Sequence, residues 1–271
     1  MSGARGGITR VVPAARWAAA SVLVSTLALA SSARAEDAAP EPARHDAGLQ
    51  AAAAGAFLPQ TLSAQVGAVP LFAFGLGGYD SARQGSLADA AVEVRIWGPF
   101  ALRAQTTYSN VAGRMRPSVG GRAQLLRQPA HGIDGTLTVF YKTEGFTEAE
   151  GEIETFASIG RRFEQLSVLG NLVYGQDPEG NERDGEVRAA VLHQRGRLIV
   201  GLDSRLRFAI GTQHGRAATT EPAFDLAGGP VATVAAGPVA LYTELGPSTF
   251  RLEGGPVRVG VAALAGLGAA Y

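Results

Sequence analysis

The chain has 271 residues, no cysteine, and 24 basic against 24 acidic side chains. Without cysteine there is no disulfide framework and no lipid-attachment site, and a formal net charge of zero gives no electrostatic case for a nucleic-acid partner. Beyond the amino-terminal region no run reaches about 18 apolar residues, so a later membrane crossing would have to be made by strands closed into a barrel.

Residues 1–35 carry Arg5, Arg10 and Arg16 without an acid, then an apolar run from Trp17 to Ala30, then Ala33-Arg34-Ala35. This is the pattern of a cleavable secretory signal peptide, with an apolar core too short to cross a bilayer as a helix. Removing the leader's four arginines leaves 20 basic against 24 acidic residues, a net charge of −4. Residues 36–60 are rich in Ala, Pro and charge and lack alternation, which predicts a flexible periplasmic lead-in. Within it, Asp46 to Phe57 could form a short Ala-rich helix resting in a barrel mouth, although most such segments are simple linkers.

From residue 61 to residue 271 the period is close to two, the signal of strands with one apolar face. Val92, Val94 and Ile96 alternate with Glu93 and Arg95, and Phe100, Leu102, Ala104, Thr106 and Tyr108 alternate with Arg103, Gln105 and Thr107. The same holds for Gly135, Leu137, Val139 and Tyr141, and for Leu198, Val200, Leu202, Leu206, Phe208 and Ile210, with Ser204 the one polar intruder. Phe100 and Tyr108 share a face about 26 Å apart along a strand, roughly the spacing of two aromatic girdles after strand tilt. Two segments read badly, because Pro70 and Gly228-Gly229-Pro230 remove donors from strands one and ten. The last strand puts Val257, Val259, Val261, Ala263, Ala265, Leu267, Ala269 and Tyr271 on one uninterrupted apolar face.

Connections add a second pattern. Short turns are expected at Gly98-Pro99, Gln128 to His131, Phe163-Glu164, Arg195-Gly196 and Ala236 to Pro238. Longer polar loops alternate with them, from Tyr79 to Asp89, Asn110 to Pro117, Thr143 to Gly151, Gln176 to Asp184, Thr212 to Glu221 and Gly246 to Pro256. The expected fold is all-β, an antiparallel up-and-down transmembrane β-barrel of about twelve strands, with ten as the alternative count, and both chain ends on the short-turn side.

The leader, the alternating segments, the short and long connections and the terminal strand ending in Tyr271 together resemble bacterial outer-membrane β-barrel proteins over residues 61–271. The resemblance implies residence in the outer membrane, contact with outer-membrane lipid and lipopolysaccharide, and recognition of the last strand, Tyr271 with Leu267, by the barrel assembly machinery. The usual terminal residue there is Phe.

Candidate chemistry lies on the inward faces. Glu93, Asp134, Glu152, Glu154, Glu186, Asp203 and Glu244 oppose Arg95, Arg103, Arg122, Lys142, Arg188, Arg197, Arg205, Arg207 and Arg258, a near-balance that suggests cross-strand ion pairs. These residues could line a narrow, weakly selective pore or knit together to fill the lumen, since twelve strands lie between the filled and the open barrel sizes. Arg205 and Arg207 would set two guanidinium groups on one wall. In a predicted outer loop, Asp177, Glu179 and Asp184 form a weak candidate cation site, but Glu182 stands where an EF-hand requires Gly. His45, His131, His193 and His214 have no serine at short spacing and there is no Gly-x-Ser-x-Gly elbow, so no catalytic residue is assigned and no cofactor is expected. The expected function is a passive porin-like channel or a surface or structural barrel. The alternatives are a soluble periplasmic β protein holding an apolar ligand inside, and a lipid-modifying enzyme using His193 or His214.

Overall fold

Side chains alternating across each strand give the sheet one apolar and one polar face, and closure into a barrel hides the polar one. In the computed structural model, which describes residues 47–109, 114–143, 145–146, 151–178, 182–212, 222–252 and 254–271, twelve antiparallel strands close on themselves. They are β1 (Leu71–Asp80), β2 (Gly85–Trp97), β3 (Phe100–Ser109), β4 (Arg114–Leu126), β5 (Asp134–Thr143) and β6 (Gly151–Phe163), followed by β7 (Leu166–Gln176), β8 (Glu182–Arg195), β9 (Leu198–Thr212), β10 (Pro222–Ala236), β11 (Val239–Leu252) and β12 (Arg258–Ala270). A helix, α1 (Ala47–Ala53), precedes the barrel, and one helical turn, α2 (Gln128–His131), links β4 to β5. Residues 1–35, the expected signal peptide, and residues 36–46 lie outside the described residues.

Each strand pairs with its chain neighbours, and β1 closes the ring on β12 through Leu71↔Ala270 and Asp80↔Ala262. The backbone N–H of Tyr271 donates to the carbonyl of Pro70 at 3.1 Å, tying the two ends together. Pro70 therefore sits just ahead of β1. The irregularity of that strand is a bulge between Gly75 and Gly77, which leaves Leu76 exposed.

Strand β10 runs unbroken through Pro230, which pairs with Leu202 of β9. On its other edge the ladder to β11 skips from Ala227↔Ser248 to Val231↔Glu244. In the skipped stretch Gly228 and Gly229 lie against Gly246 at close backbone approach, so the ladder lapses on this edge while the other edge stays paired. A Cβ on Gly246 would lie 2.0 Å from the carbonyl oxygen of Gly228, whose φ is +153°. Gly246→Ala is expected to push these strands apart and cost about 1–3 kcal/mol. The expected readout is a lower temperature for the heat-induced gel shift, and an unchanged one would mean the strands part freely here.

The strands are longer than the sequence pattern suggests, and the loops correspondingly shorter. The β1–β2 connection is Ser81 to Gln84, not Tyr79 to Asp89, while the β4–β5 turn, Arg127 to Ile133, rivals the loops at the other end. The alternation of short and long connections is thus weaker than expected.

The apolar stripes face outward. Leu102, Val139, Leu172, Val191, Leu202, Leu241 and Val261 are all exposed. Trp97, Phe100, Phe163 and Tyr271 are exposed at the short-turn end, with Trp97 stacked on Phe100 at 5.9 Å. Tyr79, Tyr108, Tyr141, Tyr174 and Phe208 are exposed toward the loop end. A continuous apolar band between two aromatic belts is the surface a bilayer stabilises and water does not. Among the described residues no helix is long and apolar enough to cross a membrane. With the stripes outside, the expected alternative of an apolar ligand held against them inside the barrel is overturned.

Candidate functional site

The barrel interior is occupied by the chain's own amino-terminal segment. Residues 47–60 are not the flexible lead-in the composition suggests. Helix α1 packs inside against β10, β11 and β12, with Gly48 against the Gly237-Pro238 turn and buried Ala47, Ala52 and Ala53 on apolar wall residues. Small side chains let this helix fit a narrow lumen, and its apolar seat stabilises it more than helix propensity does. Phe57 lies against Gly268, where a Cβ would be 2.4 Å from its ring. Leu169, Leu192, Ile199 and Val231 complete the apolar lower lumen.

Further along, the segment turns polar and so does the wall. The Gln60 backbone N–H donates to Asp203 Oδ2 at 2.8 Å and the Thr61 hydroxyl to Asp203 Oδ1 at 2.5 Å. Asn171 receives the Leu62 N–H at 2.7 Å and returns a bond to the Leu62 carbonyl at 2.8 Å. Arg188 donates to the Gln60 carbonyl at 2.9 Å, and the Gln60 side chain donates to Glu244 at 3.1 Å. Leu62 itself joins Phe140, Phe156 and Val173, an apolar cluster facing into the lumen. The segment then descends to β1. Arg122 holds the Ser63 carbonyl, Gln65 donates to Asp134 at 2.6 Å, the Val66 N–H donates to Gln124 at 3.1 Å, and Arg95 donates to the Val66 carbonyl at 3.2 Å. Backbone groups taken from water must find partners, and here the wall supplies them from five strands, with two more binding the Gln60 and Gln65 side chains. The cavity lined by Ala54, Gln65, Asp134 and Ser167 is about 20 Å³, room for about one water.

Above the segment, toward the loops, the wall is charged and paired. Arg205 meets Asp225 at 2.6 Å, Arg188 meets Glu186 at 2.8 Å, and Lys142 meets Glu154 at 2.6 Å and Glu152 at 3.2 Å. Arg207 pairs closely with Asp184, and Glu93 binds both Arg122 and, at 3.3 Å, Arg103. The β1–β2 loop folds Arg83 inward onto Asp225, with Asp80 at 3.5 Å and the Phe250 ring at 5.5 Å. Burial, and then the neighbouring Arg205, lower the Arg83 pKa to about 9, which still leaves it charged at neutral pH.

Of the residues the sequence singles out, Glu93, Arg103, Arg122, Glu186, Arg188, Asp203, Arg205 and Arg207 face this interior. Arg95 is more exposed, at the short-turn end, yet it too reaches the segment at the Val66 carbonyl, while Arg258 is exposed at the loop end of β12, away from the paired groups. Arg205 and Arg207 do share one wall, but each is matched by a carboxylate rather than presented as a bare pair. Asp184 belongs to β8 and binds Arg207, so it is not a loop ligand alongside Asp177, and Glu179 lies outside the described residues. Among the described residues no group of three metal-binding side chains forms. His193 is exposed on the outer face and His131 sits in α2, with neither ring meeting a serine or carboxylate among the described residues, while His45 and His214 lie outside them.

Sequence reasoning missed Gln60, Thr61 and Asn171, whose role depends on a segment read as linker. It also missed Asp80, Arg83 and Asp225, which were placed in a long loop or in the doubtful tenth strand.

No protein-family model and no curated protein sequence matches this chain. Among solved structures, the NanC porin is 11% identical with a TM-score of 0.51, covering 74% of this chain and 99% of its own. The KdgM porin in complex with disordered oligogalacturonate is 10% identical with a TM-score of 0.50, covering 75% of this chain and 99% of its own. LpxR from Salmonella typhimurium is 10% identical at a lower TM-score of 0.45, covering 74% of this chain and all of its own. At these identities what is shared is the fold, and this chain's fold is a closed β-barrel of twelve antiparallel strands.

Proposed function

We propose that the protein spans the outer membrane, short turns toward the periplasm, as a porin-like channel held shut by its own residues 47–66. The observation that carries this reading is the hydrogen-bonded seat of Gln60, Thr61 and Leu62 on Asp203 and Asn171, beneath a wall of paired charges toward the loop end. A lumen-filling network alone would not need a separate segment to satisfy it. Passage of a solute requires this segment to leave. Arg83, Lys142, Arg188, Arg205 and Arg207 each have an acidic partner, so the open channel discriminates weakly by charge and takes small polar solutes of either sign.

Asp203→Ala combined with Asn171→Ala removes five of the bonds that seat the segment. At about 1 kcal/mol per bond and more for those to a carboxylate, the closed-to-open ratio is expected to fall by at least about a hundredfold. Single-channel recording of the full-length native and doubly substituted chains in planar bilayers reads this directly. The native chain should open rarely and the variant often. Equal, silent baselines would favour a purely structural barrel.

A further inference from the structure

Five arginines crowd three neighbouring short turns. Arg127 follows β4, Arg161 and Arg162 lie near the end of β6, Arg195 ends β8, and Arg197 precedes β9. Strand order around the barrel follows chain order, so these turns form one continuous arc of the rim. All five are exposed, and among the described residues none has a carboxylate partner, in contrast to the paired arginines of the lumen. Glu164 is the one exposed acid of the arc, since Asp134 is buried and bonded to Gln65. The other two short turns, Gly98-Pro99 and Gly237-Pro238, carry no charge.

The height and direction of these groups matter more than their number. Arg161 has the parity of Ile159 and Phe163 on the outer face, and its guanidinium lies 4.6 Å over the Phe163 ring. Arg195 and His193 share the outer face of Val187 and Val191, and Arg127 follows exposed Leu125 by two residues. Phe163, Leu166, His193 and Val200 form one cross-strand row, all exposed. Arg127, Arg161 and Arg195 therefore stand on the apolar face at the aromatic belt, with Arg162 and Arg197 exposed beside them on the rim; there long side chains lay their stems on apolar surface and lift the charge to the headgroups. A soluble acidic partner would more naturally meet the end of the barrel than its side.

We infer that this arc binds the phosphates of anionic phospholipid headgroups in the leaflet facing the short turns. Guanidinium forks match phosphate oxygens two at a time, and three turns side by side offer several forks to neighbouring lipids. The inference rests on the membrane-spanning reading above.

Native mass spectrometry of the full chain in neutral detergent, given equal dioleoylphosphatidylglycerol and dioleoylphosphatidylcholine, counts the lipids retained. The native chain should retain the anionic lipid over the zwitterionic one by about tenfold or more. Arg127→Gln, Arg161→Gln, Arg195→Gln and Arg197→Gln together should bring the ratio near one, with the heat-dependent gel shift intact. If that variant does not fold, Arg161→Gln with Arg195→Gln should still cut the preference to about a third or less. No preference in the native chain, or a preference the variants keep, overturns the inference. Capture of a soluble polyglutamate peptide without retention of the anionic lipid also overturns it, and points to an acidic protein. A chain that needs no detergent and shows no gel shift contradicts the membrane reading itself, whereas one that needs detergent without lipid preference contradicts only the arc.

Discussion

Deletion of residues 47–66 is expected to turn a silent barrel into a steadily conducting one. The wall owes its closure to twelve strand ladders, none of which includes these residues. The segment is added to a completed ring, and β1 begins only at Leu71. Its removal exposes Asp203, Asn171, Arg188 and Glu244, polar groups that water can satisfy as well as the segment does. The apolar lower wall loses more, because Leu192, Ile199 and Val231 lose the cover of α1. The variant is therefore expected to be less stable than the native barrel yet to keep its gel shift. In planar bilayers it should show long-lived openings with a cation-to-anion preference near one, matching the paired vestibule. A folded deletion variant that conducts no better than the native chain would mean the vestibule alone closes the lumen.

Arg122→Ala is the single substitution with the largest expected effect on stability. Arg122 is 2% exposed and lies between Glu93, the Thr138 hydroxyl at 3.2 Å and the Ser63 carbonyl. Truncation leaves Glu93, also 2% exposed, with Arg103 at 3.3 Å as its remaining cation. Removing one member of a buried pair typically costs about 3–5 kcal/mol, mostly from the charge left behind. Arg122→Met with Glu93→Leu removes both charges and should cost far less, because no ion is stranded. The readout is the temperature of the gel shift, with a large drop for the single variant and a small one for the pair. Similar drops for both would place the effect in lost volume rather than lost charge.

How much of this was legible in the sequence differs between wall and contents. The strands were readable because the bilayer demands an unbroken outer stripe, and stripes such as Leu137, Val139 and Tyr141 on β5 keep period two without exception. Strand ten looked broken because a proline was judged alone, yet Pro230 keeps its place opposite Leu202 of β9 and only the ladder to β11 lapses over residues 228–230. The contents were only partly visible: Asp46 to Phe57 could be read as an Ala-rich helix in a barrel mouth, but α1, with four Ala in seven residues, has no amphipathic signature to set it apart from a linker, and its burial follows from the space around it. One signal was available. Phe140, Phe156, Leu192 and Ile199 have inward parity, and a water-filled lumen gives such residues no reason to be there. Read together, they ask for an apolar occupant, and the chain supplies one in Leu62 and α1.

The most direct test of the central claim uses the absence of native cysteine. Thr61 and Asp203 touch side chain to side chain across the lumen at 2.5 Å, so Thr61→Cys with Asp203→Cys places two thiols in reach of each other while removing the strongest anchor of the segment. Single-channel recording of this variant, oxidised and then reduced in the same bilayer, isolates movement of the segment from every other change. The account predicts silence while the disulfide is intact and frequent openings once it is reduced. Identical conductance in the two states, with the bond verified by mass, would contradict it.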